Sequence, residues 1–221
     1  FSDPRTTTQP APRASTITGD VRRHEIKSPQ LDNERTVIVW LPPGYEADKS
    51  RRYPVLYMHD GQNVFDAATS FLGVEWRADE TAAQLIREQK IEPLIIVGIY
   101  NTPARAAEYS PFAHAGRNEG GKGDAYLAFL VETVKPLIDK TYRTKPERES
   151  TALAGSSLGG LISMYAMSRY PDVFGRAGVI SPAFWFGDRG TLAYVRQHPP
   201  RVDARIWIDV GTEEGDLKSA Y

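Results

Sequence analysis

Thr151-Ala-Leu-Ala-Gly-Ser-Ser-Leu-Gly-Gly-Leu-Ile-Ser-Met-Tyr-Ala166 is the stretch on which the reading of this chain turns. A short apolar run, Thr151 to Ala154, meets Gly155-Ser156-Ser157-Leu158-Gly159, and an apolar helical pattern follows at once. This is the G-x-S-x-G pattern set between a strand and a helix, the context that gives it chemical meaning. Gly155 and Gly159 are expected to flank a turn so tight that a Cβ at either would collide with the neighbouring strand or helix. Ser157 then stands at the apex in strained geometry, its hydroxyl exposed above the sheet edge. The backbone N–H of Leu158, at the helix start, points where an oxyanion would form. The plain alternative is a glycine-rich connection without chemistry, and the correct flanks on both sides argue against it.

Upstream of this stretch, Tyr53 to Met58 is continuously apolar after Pro54, the pattern of a strand covered on both faces. It ends in His59-Asp60-Gly61-Gln62-Asn63-Val64-Phe65-Asp66. Polar residues and glycine at the carboxyl end of a buried strand are where open α/β sheets place ligands. Leu94 to Ile99 is a second buried strand, Gly178-Val-Ile-Ser-Pro a fourth after the Ser157 strand, and Arg205 to Val210 a fifth. Helical spacing covers Trp76 to Gln89, Ala125 to Tyr142 and Thr191 to Gln197, with a kink or early break expected at Pro136. The long stretch from Tyr100 to Asp124 reads as a polar, structureless loop carrying Arg105, Glu108, Tyr109 and His114. Ser15 to Lys27 and Arg35 to Leu41 alternate β-branched with polar residues and read as an antiparallel hairpin at a sheet edge, stopped by Pro42-Pro43-Gly44. Strands alternating with helices give a doubly wound α/β class with a mostly parallel sheet. Residues 1–14, rich in Thr, Pro and Arg, read as a flexible lead-in, and 15–221 as one domain.

The totals suit that assignment. The chain has 221 residues, with 27 basic and 28 acidic, so there is no electrostatic case for nucleic acid or an anionic membrane. No apolar run approaches membrane-spanning length. Without cysteine there is no disulfide framework, thiol nucleophile or thiolate metal site. Neither a metal nor a cofactor is expected at the site. The first residue is Phe1 rather than Met, which a removed signal peptide would explain, so a secreted or periplasmic setting is favoured over a cytoplasmic one.

A serine hydroxyl becomes a nucleophile when a base takes its proton, and that base needs an acid to orient it. In sheets built around such a serine corner the chain order is nucleophile, acid, histidine, with the acid on the turn after the second strand beyond the nucleophile. Glu213, Glu214 and Asp216 all stand there. The second oxyanion donor belongs to the loop after the Tyr53–Met58 strand, and the N–H of Gln62, just past Gly61, fits. The four histidines, 24, 59, 114 and 198, all precede the acid. His24 reads as a strand histidine and His59 as a residue ordering the oxyanion loop, while His114 could swing over Ser157 from the long loop. The expectation preferred here is that the chain lacks a C-terminal part holding a last strand, a last helix and the histidine. The aromatic run Phe184-Trp185-Phe186 is read with equal weight as core or as pocket wall.

Gly155-Ser-Ser-Leu-Gly-Gly, His59-Asp-Gly-Gln-Asn-Val-Phe-Asp, Tyr109-Ser-Pro, Tyr142-Arg-Thr, Tyr170-Pro-Asp-Val-Phe, Ser181-Pro-Ala-Phe-Trp and Asp209-Val-Gly-Thr-Glu-Glu-Gly together resemble the Putative esterase family of the α/β-hydrolases. That family includes feruloyl and acetyl-xylan esterases, enterochelin-type esterases, S-formylglutathione hydrolases and mycolyltransferases. The resemblance runs from about Glu25 to Asp216. It implies an α/β-hydrolase fold, Ser157 as nucleophile, Glu214 as triad acid, and the N–H groups of Gln62 and Leu158 as oxyanion hole. Asp60 and Trp185 are the candidate substrate contacts. The expected reaction is hydrolysis of a small-molecule carboxylic ester, of carbohydrate (feruloyl or acetyl) or siderophore type, through an acyl-enzyme. Acyl transfer and a non-catalytic, hydrolase-fold binding module are the alternatives.

Overall fold

The computed structural model of the protein describes residues 13–117 and 119–212. Seven strands among these form one sheet: β1 (Asp20–Ser28), β2 (Asn33–Leu41), β3 (Val55–His59), β4 (Ile95–Ile99), β5 (Thr151–Ser156), β6 (Arg176–Ile180) and β7 (Arg205–Asp209). Their spatial order is β1-β2-β4-β3-β5-β6-β7. β1 and β2 pair antiparallel in the expected hairpin, β2 meets β4 antiparallel, and every later pair is parallel. The doubly wound, mostly parallel sheet with antiparallel edge strands is therefore as the pattern predicted.

Pleat alternation sorts the apolar side chains into two cores. Odd-numbered strand residues such as Val39, Val55, Tyr57, Val97, Leu153 and Val179 face one core, which also holds Leu127, Leu130, Leu161 and Ile162. Even-numbered Ile38, Trp40, Met58 and Ile96 face the other, covered by Ala82 of α1 (Ala78–Arg87). β3 and β4 are thus apolar along their whole length because both faces are buried, and helices lie on both sides.

Four expectations are corrected. Pro136 does not break its helix: α-helical Gly123–Ala128 runs through a π-helical stretch, Phe129–Val134, into α-helical Lys135–Thr141. The wider turn resets the hydrogen-bond register, so Pro136 falls in the first turn of the last segment, where no N–H is required. The stretch from 100 to 124 is not structureless. It holds α2 (Arg105–Glu108) and an antiparallel bridge between His114 and Glu119. It is fixed from beneath by Arg35, whose guanidinium makes two bonds of 2.8 and 2.9 Å to Glu108 with both side chains almost wholly buried. The fifth parallel-reading strand is not buried: β7 is the outermost strand of the described sheet, with Trp207 and Ile208 exposed. The first strand, finally, begins at Asp20 rather than Ser15, and side chains tie down the residues before it. Thr16 N–H and the Ser15 hydroxyl reach Asp66 at 3.0 Å, and Thr18 gives its N–H and hydroxyl to Asp79 at 2.7 and 2.8 Å.

Candidate active site

β5 is the central strand of the parallel part, flanked by β3 and β6, and it ends in the corner that carries Ser157. Ser157 has φ 57° and ψ −120°, a conformation essentially reserved for glycine, and its side chain is exposed. Three backbone bonds of 3.0 Å hold it there. Its N–H donates to Ile180 O, and its carbonyl accepts from Leu161 and Ala183. The chain then enters α5 (Leu158–Arg169), which is buried along most of its length. Leu158 is its first residue, so its N–H has no partner within the helix and lies at the positive end of the dipole.

The two glycines flanking the corner are not equivalent. A Cβ on Gly155 would stand 2.8–3.0 Å from the backbone of Gly159, which nothing can relieve without opening the turn. A Cβ on Gly159 would first meet the His59 side chain at 3.4 Å, an ordinary contact. The expectation that both positions exclude a side chain therefore holds for Gly155 alone, since the close approach is of residue 155 toward residue 159.

After β3 the chain turns sharply at Asp60 (φ 57°, ψ 47°) into a 3-10 turn, Gly61–Asn63. Gly61 lies directly on β4: a Cβ there would be 2.5 Å from the carbonyl carbon of Gly98 and 2.6 Å from the Ile99 nitrogen. Within this turn the Asn63 and Val64 N–H groups bond back to Asp60 and Gly61, which leaves the Gln62 N–H without an intra-turn partner. Gln62, Asn63, Phe71, Asn101, Arg105 and Ser157 line one cleft of about 430 Å³.

The structure brings Ser157, Gln62 and Asp60 together in that cleft. The Asp60 carboxylate is held by Arg105 through two bonds of 2.7 and 2.8 Å and also accepts from Asn101, so it organises the cleft wall and offers little to a ligand. Trp185 does not line the cleft. It packs edge-on against His114 with ring centroids 6.0 Å apart and lies beneath Arg117. The proposed acid, Glu214, lies outside the described residues, as do Glu213 and Asp216. Phe71, Asn101 and Arg105 complete the cleft, and Arg105 alone was legible as part of the long polar stretch.

None of the four histidines hydrogen-bonds Ser157 among the described residues. His24 pairs with the Tyr142 hydroxyl at 2.6 Å, and His198 stacks on Tyr194. His114 stacks on Phe186 with its Nδ1 3.4 Å from Asp188, so the swing over Ser157 is not what the ring contacts favour. His59 is fully buried beneath the corner, with Nδ1 2.7 Å from the Tyr126 hydroxyl. Burial pushes its pKa down to about 4, against the pull of Asp60 and with help from Arg105. It is a neutral packing residue beneath the turn that carries Gln62.

The family model described as "Putative esterase" matches residues 28–220. The "Uncharacterized protein YbbA" of Bacillus subtilis (strain 168) is 32% identical over 191 residues, covering 84% of this chain and 71% of that protein. The "Endo-1,4-beta-xylanase/feruloyl esterase" of Xylanibacter ruminicola is 30% identical over 199 residues, covering 89% of this chain and 25% of its own length. Among solved structures, the siderophore hydrolase EstA of Aspergillus nidulans superposes with a TM-score of 0.72 at 21% identity, over 89% of this chain and 70% of that one. At that identity the likeness shows a shared fold. With its sequence matched almost from end to end and its sheet shared with such hydrolases, the chain belongs to the esterase family of the α/β-hydrolases.

Proposed function

We propose that this protein is a serine carboxylesterase in which Ser157 is acylated. The observation that carries this reading is the exposed Ser157 at φ 57°, ψ −120°, on the first residue before a buried helix and in one cleft with Gln62. The Oγ attacks the ester carbonyl, and the Leu158 and Gln62 N–H groups hold the tetrahedral oxyanion. The Oγ proton passes to the departing alcohol, and water then releases the acid. In this scheme a base takes the Oγ proton and hands it on, and Glu214 is the acid proposed to orient that base. The cleft offers an exposed aromatic ring, Phe71, beside three carboxamides and a guanidinium. That mixture suits an aromatic or catecholate acyl group carried on a polar alcohol, in keeping with feruloyl or siderophore esters.

Treatment with a fluorophosphonate followed by intact-mass measurement tests the nucleophile. One adduct on the wild type and none on Ser157→Ala is expected; equal labelling of both would end the proposal. Steady hydrolysis of p-nitrophenyl acetate supports a complete catalytic set. A burst without turnover is the signature of a serine that acylates but lacks its deacylating base, the second reading favoured by the absence of a histidine bonded to Ser157.

A further inference from the structure

Away from the cleft, Glu75, Asp79 and Glu80 meet where the loop after β3 enters α1. One oxygen from each lies within 4.8 Å of one from each of the others. Asp79 is wholly buried, and the other two are partly buried. Three of their oxygens are buried with no hydrogen-bond donor from outside the cluster among the described residues: Oε2 of Glu75, Oδ1 of Asp79 and Oε2 of Glu80. The remaining oxygens turn outward to other segments. Glu75 Oε1 accepts from the Thr16 hydroxyl, Asp79 Oδ2 accepts from both Thr18 donors, and Glu80 Oε1 lies 3.5 Å from Arg77 Nε. The unpartnered oxygens are thus the ones left for the interior of the cluster. A buried carboxylate oxygen without donor or cation is among the costliest arrangements a fold can hold.

We propose that Glu75, Asp79 and Glu80 form a calcium site. The ligand set is all oxygen and all carboxylate, which selects a hard cation over zinc or copper. Three oxygens no more than 4.8 Å from one another are close enough to share one ion after small side-chain adjustment. Calcium, which accepts irregular carboxylate-rich geometry at about 2.3–2.6 Å, suits them better than magnesium, which demands a near-ideal octahedron at about 2.0–2.1 Å. Arg77, the cation 3.5 Å from Glu80, is largely exposed and so does little to neutralise the cluster. The placement gives the ion a structural purpose. Trp76 N–H bonds Asn63 O at 2.8 Å and Ala78 N–H bonds Val64 O at 3.2 Å, so the segment holding the carboxylates is stitched to the turn that carries Gln62. Through Thr16 and Thr18 the same carboxylates hold the segment just before β1. Calcium at this point would lock three segments together without touching the cleft.

The test uses the full chain, treated with EDTA and then returned to 1 mM CaCl2 or MgCl2. At a free concentration about 100-fold above Kd the melting midpoint should rise by about 5 °C or more with calcium, and by less with magnesium. Terbium should give luminescence excited through Trp76, the next residue after Glu75, and calcium should quench it by competition. The Glu75→Gln/Glu80→Gln double variant keeps the Thr18–Asp79 bonds and should lose both responses. Should that variant fail to fold, native mass spectrometry of the wild type decides the matter: one calcium removable by EDTA supports the site, and none overturns it. A calcium response that persists in the folded double variant also overturns it. So does a wild type indifferent to calcium whose Glu80→Gln form is the more stable, because a bound proton would then be relieving the crowding.

Discussion

Replacing Ser157 by glycine should abolish acylation and yet make the protein more stable than the alanine variant. At ordinary positions the comparison runs the other way, because glycine loses more chain entropy on folding and costs about 0.4–1 kcal/mol relative to alanine. At φ 57°, ψ −120° any residue with a Cβ carries strain of about 1–3 kcal/mol that glycine does not. The hydroxyl itself contributes little: it is exposed and makes no hydrogen bond among the described residues. Subtracting the entropy from the strain leaves glycine ahead by about 1.3 kcal/mol at the middle of the two ranges, and by about 2.6 kcal/mol at most. For a chain of 221 residues the mid-range value is a midpoint higher by about 3–5 °C, at about 2–4 °C per kcal/mol. Urea unfolding of Ser157→Gly and Ser157→Ala side by side, with fluorophosphonate labelling of each, measures both halves. A glycine variant no more stable than the alanine one would refute the claim that the corner is strained.

Three further outcomes follow from the geometry. Gly155→Ala should cost about 1–3 kcal/mol and displace the nucleophile, because its Cβ meets only backbone, whereas Gly159→Ala should be nearly neutral; thermal melts and ester hydrolysis compare them directly. Glu108→Gln should lose about 3–5 kcal/mol in urea titration by leaving the buried Arg35 charge unpaired, and replacing both partners by apolar residues should restore much of it. His59, whose pKa lies near 4 in the fold and near 6.5 in the unfolded chain, contributes stability that is complete above about pH 6.5 and drains away as pH falls toward 4. That amounts to about 3 kcal/mol over 2.5 units. Chemical denaturation at pH 7 and at pH 4.5 should show a shallower dependence for His59→Asn, and an identical dependence would count against the burial argument.

The fold was legible because each strand announced itself by its own residues: an unbroken apolar run where both faces are covered, as at Val55–Met58, and alternation in the edge hairpin. The serine corner was legible for the same reason, since strand, glycine, serine and helix are consecutive in the chain. What escaped depended on partners far apart in sequence. Nothing near Asp60 signals that Arg105, 45 residues on, takes its carboxylate. Nothing near Pro136 announces the wide turn that accommodates it. Local reading also mistook β7 for an interior strand, because an apolar run does not say whether a neighbour covers it. Nothing in the helical spacing of Trp76–Gln89 signals that Asp79 is wholly buried beside Glu75 and Glu80.

The sheet order puts Ser157 on the strand with two parallel neighbours on either side of it, β4 and β3 one way and β6 and β7 the other. Within the described sheet, fraying must therefore peel away two ladders from the β7 rim, or four from the β1 rim, before β5 is left bare. The Phe71 loop is strung between strands rather than woven into them and can be rebuilt while the centre keeps its geometry. The 100–110 stretch cannot, because Arg105 and Glu108 tie it to Asp60 and Arg35, so variation at the cleft mouth is freer on the Phe71 side than on the Arg105 side.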